Sequence, residues 1–137
     1  MIKVLIVDDS ATARQAIAAI LKAAPDMEIV GEATDGLEAV QLTAELKPDA
    51  ITMDLYMPVM NGYLATRVIM AKTPTPIVVV TTINQQEIIQ HGLELLIAGA
   101  LEIVQTPSNL SAHGFETIRA ELVAKVRAVA QIKFEHA

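Results

Sequence analysis

A chain of 137 residues is long enough to bury a core of its own as one domain, and with no cysteine it can form neither a disulfide nor a thiolate metal site. A net charge of −6, with Lys and Arg scattered singly, argues against a nucleic-acid partner, because neutralising phosphates requires a basic face. Although 53% of the residues are hydrophobic, no apolar stretch is long enough to span a bilayer and the N-terminal run is too short for a secretory signal, so the expected compartment is the cytoplasm.

Ile2 to Val7 is almost wholly apolar, as expected of a strand buried on both faces. Ser10 is placed to cap a helix carrying Ile17, Ile20 and Leu21, with a stop near Pro25. Met27 to Ala33 reads as a second strand. Asp35 can cap the next helix, whose apolar face is expected to carry Leu37, Val40, Leu42 and Leu46 before Pro48 ends it. Ala50 to Met53 forms a third strand that runs into Asp54. A loop through Pro58 and Gly62 leads to a helix with Leu64, Val68 and Ile69. Ile77 to Val80, the most β-branched run, is the fourth strand, followed by a helix from about Gln85 to Ala98 that Gly99 closes. Leu101 to Val104 is a weak fifth strand. A polar loop with Pro107, Ser108, Asn109 and Gly114 precedes a last helix, in which Phe115, Ile118, Leu122, Val126 and Val129 share one stripe.

Strand and helix alternate along the whole chain, which implies an α/β fold: a doubly wound five-stranded parallel sheet with helices on both faces. Residues 1–130 are expected to form this single domain, and 131–137 a tail or the start of a linker.

Ligands of such sheets bind at the carboxyl ends of the strands, near the point where strand order reverses. The first strand delivers Asp8 and Asp9 there, the third Asp54, the fourth Thr81 and Thr82, and the fifth Gln105, Thr106 and Pro107. Taken singly these residues are unremarkable. An Asp at a strand end is usually a turn or cap residue, Asp8 and Asp9 could serve the helix that begins near Ser10, and Thr is a good strand former. Converging on one rim, however, the carboxylates repel unless one takes a proton or a cation joins them. An all-oxygen set selects a hard divalent ion, Mg2+ before zinc. An Asp beside Mg2+ is a competent nucleophile toward a phosphoryl donor, and a Thr hydroxyl one strand away can donate to the phosphoryl oxygens.

These positions resemble a known pattern. Asp8-Asp9-Ser10 after the first strand, the run from Asp54 through Pro58 to Gly62 after the third, and Thr81 after the fourth look like the receiver domain of bacterial two-component systems. The stretch TRVIMAKTPTPIVVVTT looks most like the receiver half of the chemotaxis protein methylesterase. The resemblance implies a flavodoxin-like fold and a phosphorylation switch in which Asp54 accepts a phosphoryl group from a sensor histidine kinase or a phosphotransfer protein. It implies that Asp9, Asp54 and the Tyr56 backbone carbonyl bind Mg2+ directly, with Asp8 helping through a water, and that Thr81 contacts the phosphoryl group. It also implies a partner surface, or a homodimer, formed by the fourth helix, the fifth strand and the last helix.

Two departures from the family pattern matter. Thr106 stands where the family has a Lys before a Pro, and Ile103 stands where it has Tyr or Phe. Thr donates a hydrogen bond but carries no charge, and a charge-assisted hydrogen bond is worth roughly 1.5–3 kcal/mol. A degenerate receiver acting without phosphorylation is therefore one alternative, and the regulatory half of a larger methylesterase is another. The chain itself is expected not to be an enzyme beyond self-catalysed phosphoryl transfer. A phosphatase with an Asp nucleophile would need a second Asp where Tyr56 stands, and there is no P-loop or G-x-S-x-G. His91 and His113 read as surface residues. Tyr56 and Ile83 are bulky at positions where the family tunes loss of the phosphoryl group, so slow self-dephosphorylation is expected.

Overall fold

The computed structural model describes residues 1–82, 85–106 and 116–134. Strands β1 (Ile2–Val7), β2 (Met27–Ala33), β3 (Ala50–Met53), β4 (Ile77–Thr81) and β5 (Glu102–Gln105) alternate with helices α1 (Ala11–Lys22), α2 (Gly36–Leu46), α3 (Gly62–Lys72), α4 (Gln85–Ala98) and α5 (Arg119–Val129). The strands form one parallel sheet in the order β2-β1-β3-β4-β5, so the chain reverses direction across the sheet between β1 and β3.

Both faces of the sheet are covered, which is why its strands are apolar throughout rather than alternating with polar residues. Val4, Ile6, Val78, Val80 and Val104 face one way and pack with Ile17 and Leu21 of α1 and Leu122 and Val126 of α5. Leu5, Val7, Ile51, Met53 and Val79 face the other way, onto Ala39 of α2, Ala65 and Ile69 of α3 and Leu95 of α4. The helix termini follow from local chemistry. The Ser10 hydroxyl accepts from the Ala13 N–H at 3.2 Å, and the Asp35 carboxylate accepts from the Glu38 N–H at 2.8 Å. Gly99 closes α4 at φ +110, a left-handed conformation that glycine adopts without steric cost.

The expected apolar faces of α2 and α3 need correction at Leu37 and Leu64, which are exposed. In α2 the buried residues are Gly36, Ala39 and Thr43, and Val40, Leu42 and Leu46 pack against the core as expected, while Leu37 is 43% exposed. In α3 the buried set is Gly62, Ala65, Thr66 and Ile69, with Leu64 turned outward. Small residues at these contacts let both helices lie close to the strands, and the larger side chains fill the flanks. Thr43 is tolerated there because its hydroxyl donates to the Ala39 carbonyl at 2.7 Å. The last strand is displaced by one residue, to Glu102–Gln105, because the ladder runs on to pair Thr81 with Gln105. Ile118, Leu122, Val126 and Val129 line the buried stripe of the last helix as expected. Ile83, Pro107, Ser108, Asn109, His113, Gly114 and Phe115 lie outside the described residues.

Candidate functional site

Sheet register brings the acidic residues together. Val7 pairs with Met53 across β1 and β3, so Asp8 and Asp54 leave the sheet side by side at the reversal in strand order. The backbone holds them there: the Asp54 N–H donates to the Val7 carbonyl at 3.0 Å, and the Asp8 N–H to the Ala33 carbonyl at 3.0 Å. On the far side Thr81 pairs with Gln105, and the Thr106 N–H donates to the Thr81 carbonyl at 2.8 Å. The result is one pocket of about 210 Å³ lined by Asp8, Asp9, Asp54, Tyr56, Thr81, Thr82 and Thr106, with Ser10, Ala13 and Val80 completing its wall. Every residue assigned to the site from sequence borders this pocket. Gln105, also at a strand end, is exposed and does not line it.

One oxygen from each of Asp8, Asp9 and Asp54 lies within 4.8 Å of the others, an arrangement that could hold a metal ion. Burial pushes the Asp54 carboxyl up to about 7; the charge of Asp8 and then that of Asp9 push the same way, and the N–H groups of Leu55 and Tyr56 oppose. Burial also raises Asp8, to about 6, against the Ser10 N–H that donates to its Oδ1 at 2.9 Å. The protein thus concentrates negative charge that its own residues do not neutralise. An all-oxygen donor set short of positive charge suits a hard divalent cation better than zinc.

Among the described residues no Lys or Arg lines the pocket. Thr106 is buried and lines the pocket, a neutral side chain on its wall. Lys125 does not compensate, because its Nζ donates to the Ile103 carbonyl at 2.7 Å and pairs with Glu121 at 3.1 Å. Arg14 comes nearest, through a 2.8 Å hydrogen bond from its guanidinium to the Asp8 backbone carbonyl and a 3.2 Å pair with Glu32. Sequence reading did not single out Arg14, although its place one turn into α1 was visible. Ile103 packs at the edge of the α2-α3-α4 core and lines an apolar groove with Leu95 and Leu96 of α4.

The loop from Asp54 to α3 is shaped by two backbone features. Val59 is left-handed at φ 67, a costly conformation for a β-branched residue, and such strain is often stored beside functional sites. Gly62 lies so close to Asp54 that a Cβ there would overlap the Asp54 carbonyl oxygen, and its N–H donates to the Leu55 carbonyl at 2.8 Å. Asn61 caps α3 through a 2.9 Å bond to the Leu64 N–H. Gly62→Ala is therefore expected to cost about 1–3 kcal/mol of stability and to displace the Asp54 backbone. Denaturant melts and the amide shifts of Leu55 and Tyr56 would check this; wild-type stability with unmoved amides would contradict it.

A family model described as the response regulator receiver domain matches residues 4–113. A protein-glutamate methylesterase/protein-glutamine glutaminase of Anaeromyxobacter dehalogenans is 44% identical over 132 residues, covering 96% of this chain and 38% of that protein. One from Methanococcoides burtonii is 44% identical over 127 residues, covering 93% and 35%. Among solved structures, the response regulator domain of Thermotoga maritima CheB matches with a TM-score of 0.89 at 39% identity, over 98% of this chain and 99% of that one. The CheX-CheY-BeF3-Mg+2 complex from Borrelia burgdorferi matches with a TM-score of 0.76 at 25% identity, over 96% and 90%. The chain spans only 34% to 39% of the length of such curated relatives. These relatives correct the expectation of a non-enzymatic protein: they carry enzyme names, and a match over the receiver stretch gives no ground for denying an activity. Among the described residues no helix is long and apolar enough to cross a membrane.

Proposed function

The chain belongs to the response regulator receiver domain family of two-component systems, and from that premise we propose that it is a switch thrown by phosphorylation of Asp54. The observation that carries this reading is the convergence of Asp8, Asp9 and Asp54 within 4.8 Å, in a pocket that Thr81 and Thr106 also line. An Asp54 carboxylate oxygen attacks the phosphorus of a phosphohistidine on a histidine kinase or phosphotransfer protein. A P–O bond forms as the P–N bond breaks, and the imidazole leaves with the electron pair. Asp9, Asp54 and the Tyr56 backbone carbonyl would hold Mg2+, with Asp8 acting through a water. When bound, Mg2+ supplies charge neutralisation and polarises the transferring phosphoryl group. The Thr81 and Thr106 hydroxyls donate to phosphoryl oxygens. Residues 1–130 would act as one receiver unit, with 131–137 as a tail or the start of a linker.

The output would be a change in affinity at the face made by α4, β5 and α5, where Ile89, Leu96 and Ile97 are exposed, for a partner or a second copy. Phosphorylation can shift this equilibrium only by its differential interaction with the two states, and Thr106 supplies less of it than a Lys would. A second reading, favoured by Thr106 and Ile103, is a module read by its partner in one fixed state. The names of the relatives favour placing this receiver in control of a methylesterase-type activity.

Incubation with Mg2+ and a small phosphodonor is expected to add one phosphoryl group by intact mass, and chelation or Asp9→Ala to suppress the addition. No gain at saturating donor and metal would move the assignment to the phosphorylation-independent module.

A further inference from the structure

Tyr56 lines the Asp54 pocket although its side chain is open to solvent, 53% exposed. An exposed aromatic at a pocket mouth has little packing to fix its rotamer. The Tyr56 hydroxyl donates to Glu87 Oε2 at 3.3 Å, thirty-one residues away in sequence and in the first turn of α4, and also interacts with the Tyr63 hydroxyl of α3. The same helix meets α3 nearby, where the Tyr63 ring packs edge-on against His91 with centroids 6.3 Å apart. Tyr56 thus stands between the pocket and the α3-α4 junction, and Glu87 is the residue that ties it to α4. A tyrosine-to-carboxylate bond is charge-assisted, and a long contact of this kind can tighten once the pocket fills.

We propose that Glu87 is a positioning residue that holds the Tyr56 ring across the mouth of the Asp54 pocket, shielding an acyl phosphate there from water. The inference rests on Asp54 being the acceptor. In the reaction that is slowed, a water oxygen attacks phosphorus and the bond from phosphorus to the Asp54 carboxylate oxygen breaks. The electron pair returns to the carboxylate, and the water proton leaves with inorganic phosphate or passes to solvent. Glu87 takes no part in these bonds and acts only through where it puts the ring.

The test has two arms. In the first, the lifetime of the phosphorylated form is compared across variants. Glu87→Ala and Tyr56→Phe are each expected to shorten it about two- to tenfold, the equivalent of one hydrogen bond. The double variant is expected to lose no more than Tyr56→Phe alone, because Tyr56→Phe already removes the contact with Glu87. Glu87→Gln, which keeps an acceptor oxygen, should recover most of the lifetime. An unchanged lifetime in Glu87→Ala, or additive losses in the double variant, would overturn the proposal.

The second arm needs no phosphorylation. The chain has 2 tyrosines and no tryptophan, so a Tyr63→Phe background leaves Tyr56 as the sole emitter. Carboxylates that accept from a tyrosine hydroxyl quench its fluorescence, so Glu87→Ala in that background should brighten it. Unchanged emission would mean that the contact is not made, and would overturn the positioning role by itself. Failure of the wild type to take up any phosphoryl group would instead overturn the acceptor assignment, and the lifetime claim with it.

Discussion

Asp54→Asn is expected to raise the thermal midpoint of the metal-free protein at pH 8 by about 4–12 °C. The Asp54 carboxyl titrates near 7 in the folded chain, against an ordinary value of 3.8. A group whose folded value is raised contributes stability that is fully present below 3.8 and is lost as pH rises through about 7. Over that window the folded chain holds the extra proton, so its stability falls with pH. The shift corresponds to about 4 kcal/mol at face value. Solvent screening at a half-buried carboxylate reduces this to about 1–3 kcal/mol. Asn is neutral at every pH, so the variant should gain most above pH 7 and little near pH 4. Urea melts across this range would check it. A variant no more stable than wild type at pH 8 would mean that Asp54 is not held under charge stress.

Restoring a cation should act on the same term from the other side. Thr106→Lys places an ammonium at a buried position on the wall of the Asp54 pocket. It is expected to draw the Asp54 carboxyl down toward the ordinary carboxylate range and so to shrink the loss of stability between pH 4 and 7. It should also strengthen coupling between phosphorylation and output by about ten- to a hundredfold, the equivalent of one charge-assisted hydrogen bond. Carbon-detected titration of the Asp carboxyls gives the first quantity, and partner or self-association with and without phosphodonor gives the second. If Thr106→Lys left the Asp54 titration in place, the missing charge at Thr106 would not be what sets the electrostatics of the pocket.

The order of elements could be read from the sequence because a sheet covered on both faces makes every strand an apolar run, and Ile2–Val7 and Ala50–Met53 have the bounds their composition suggests. The acidic cluster could be read for a related reason. Parallel topology sends all carboxyl ends to one side, so Asp8, Asp9 and Asp54 needed only the fold class to be brought together. What hydrophobicity misplaced were Leu37 of α2 and Leu64 of α3. In those helices Ala39, Thr43, Ala65 and Thr66 are buried, while Leu37 and Leu64 are exposed. Close approach favours small side chains, and apolar periodicity alone does not weigh it. The tie from Tyr56 to Glu87 and the hold of Arg14 on the Asp8 carbonyl were out of reach, because they depend on how exposed side chains meet in space.

Reductive trapping identifies which aspartate carries the phosphoryl group. An acyl phosphate on an aspartate is reduced by borohydride to homoserine, which marks the acceptor in a peptide map. After Mg2+ and phosphodonor, homoserine is expected at residue 54 alone, and none in Asp54→Ala. Homoserine at Asp8 or Asp9 with Asp54 intact, or labelling that persists in Asp54→Ala, would contradict Asp54 as the acceptor.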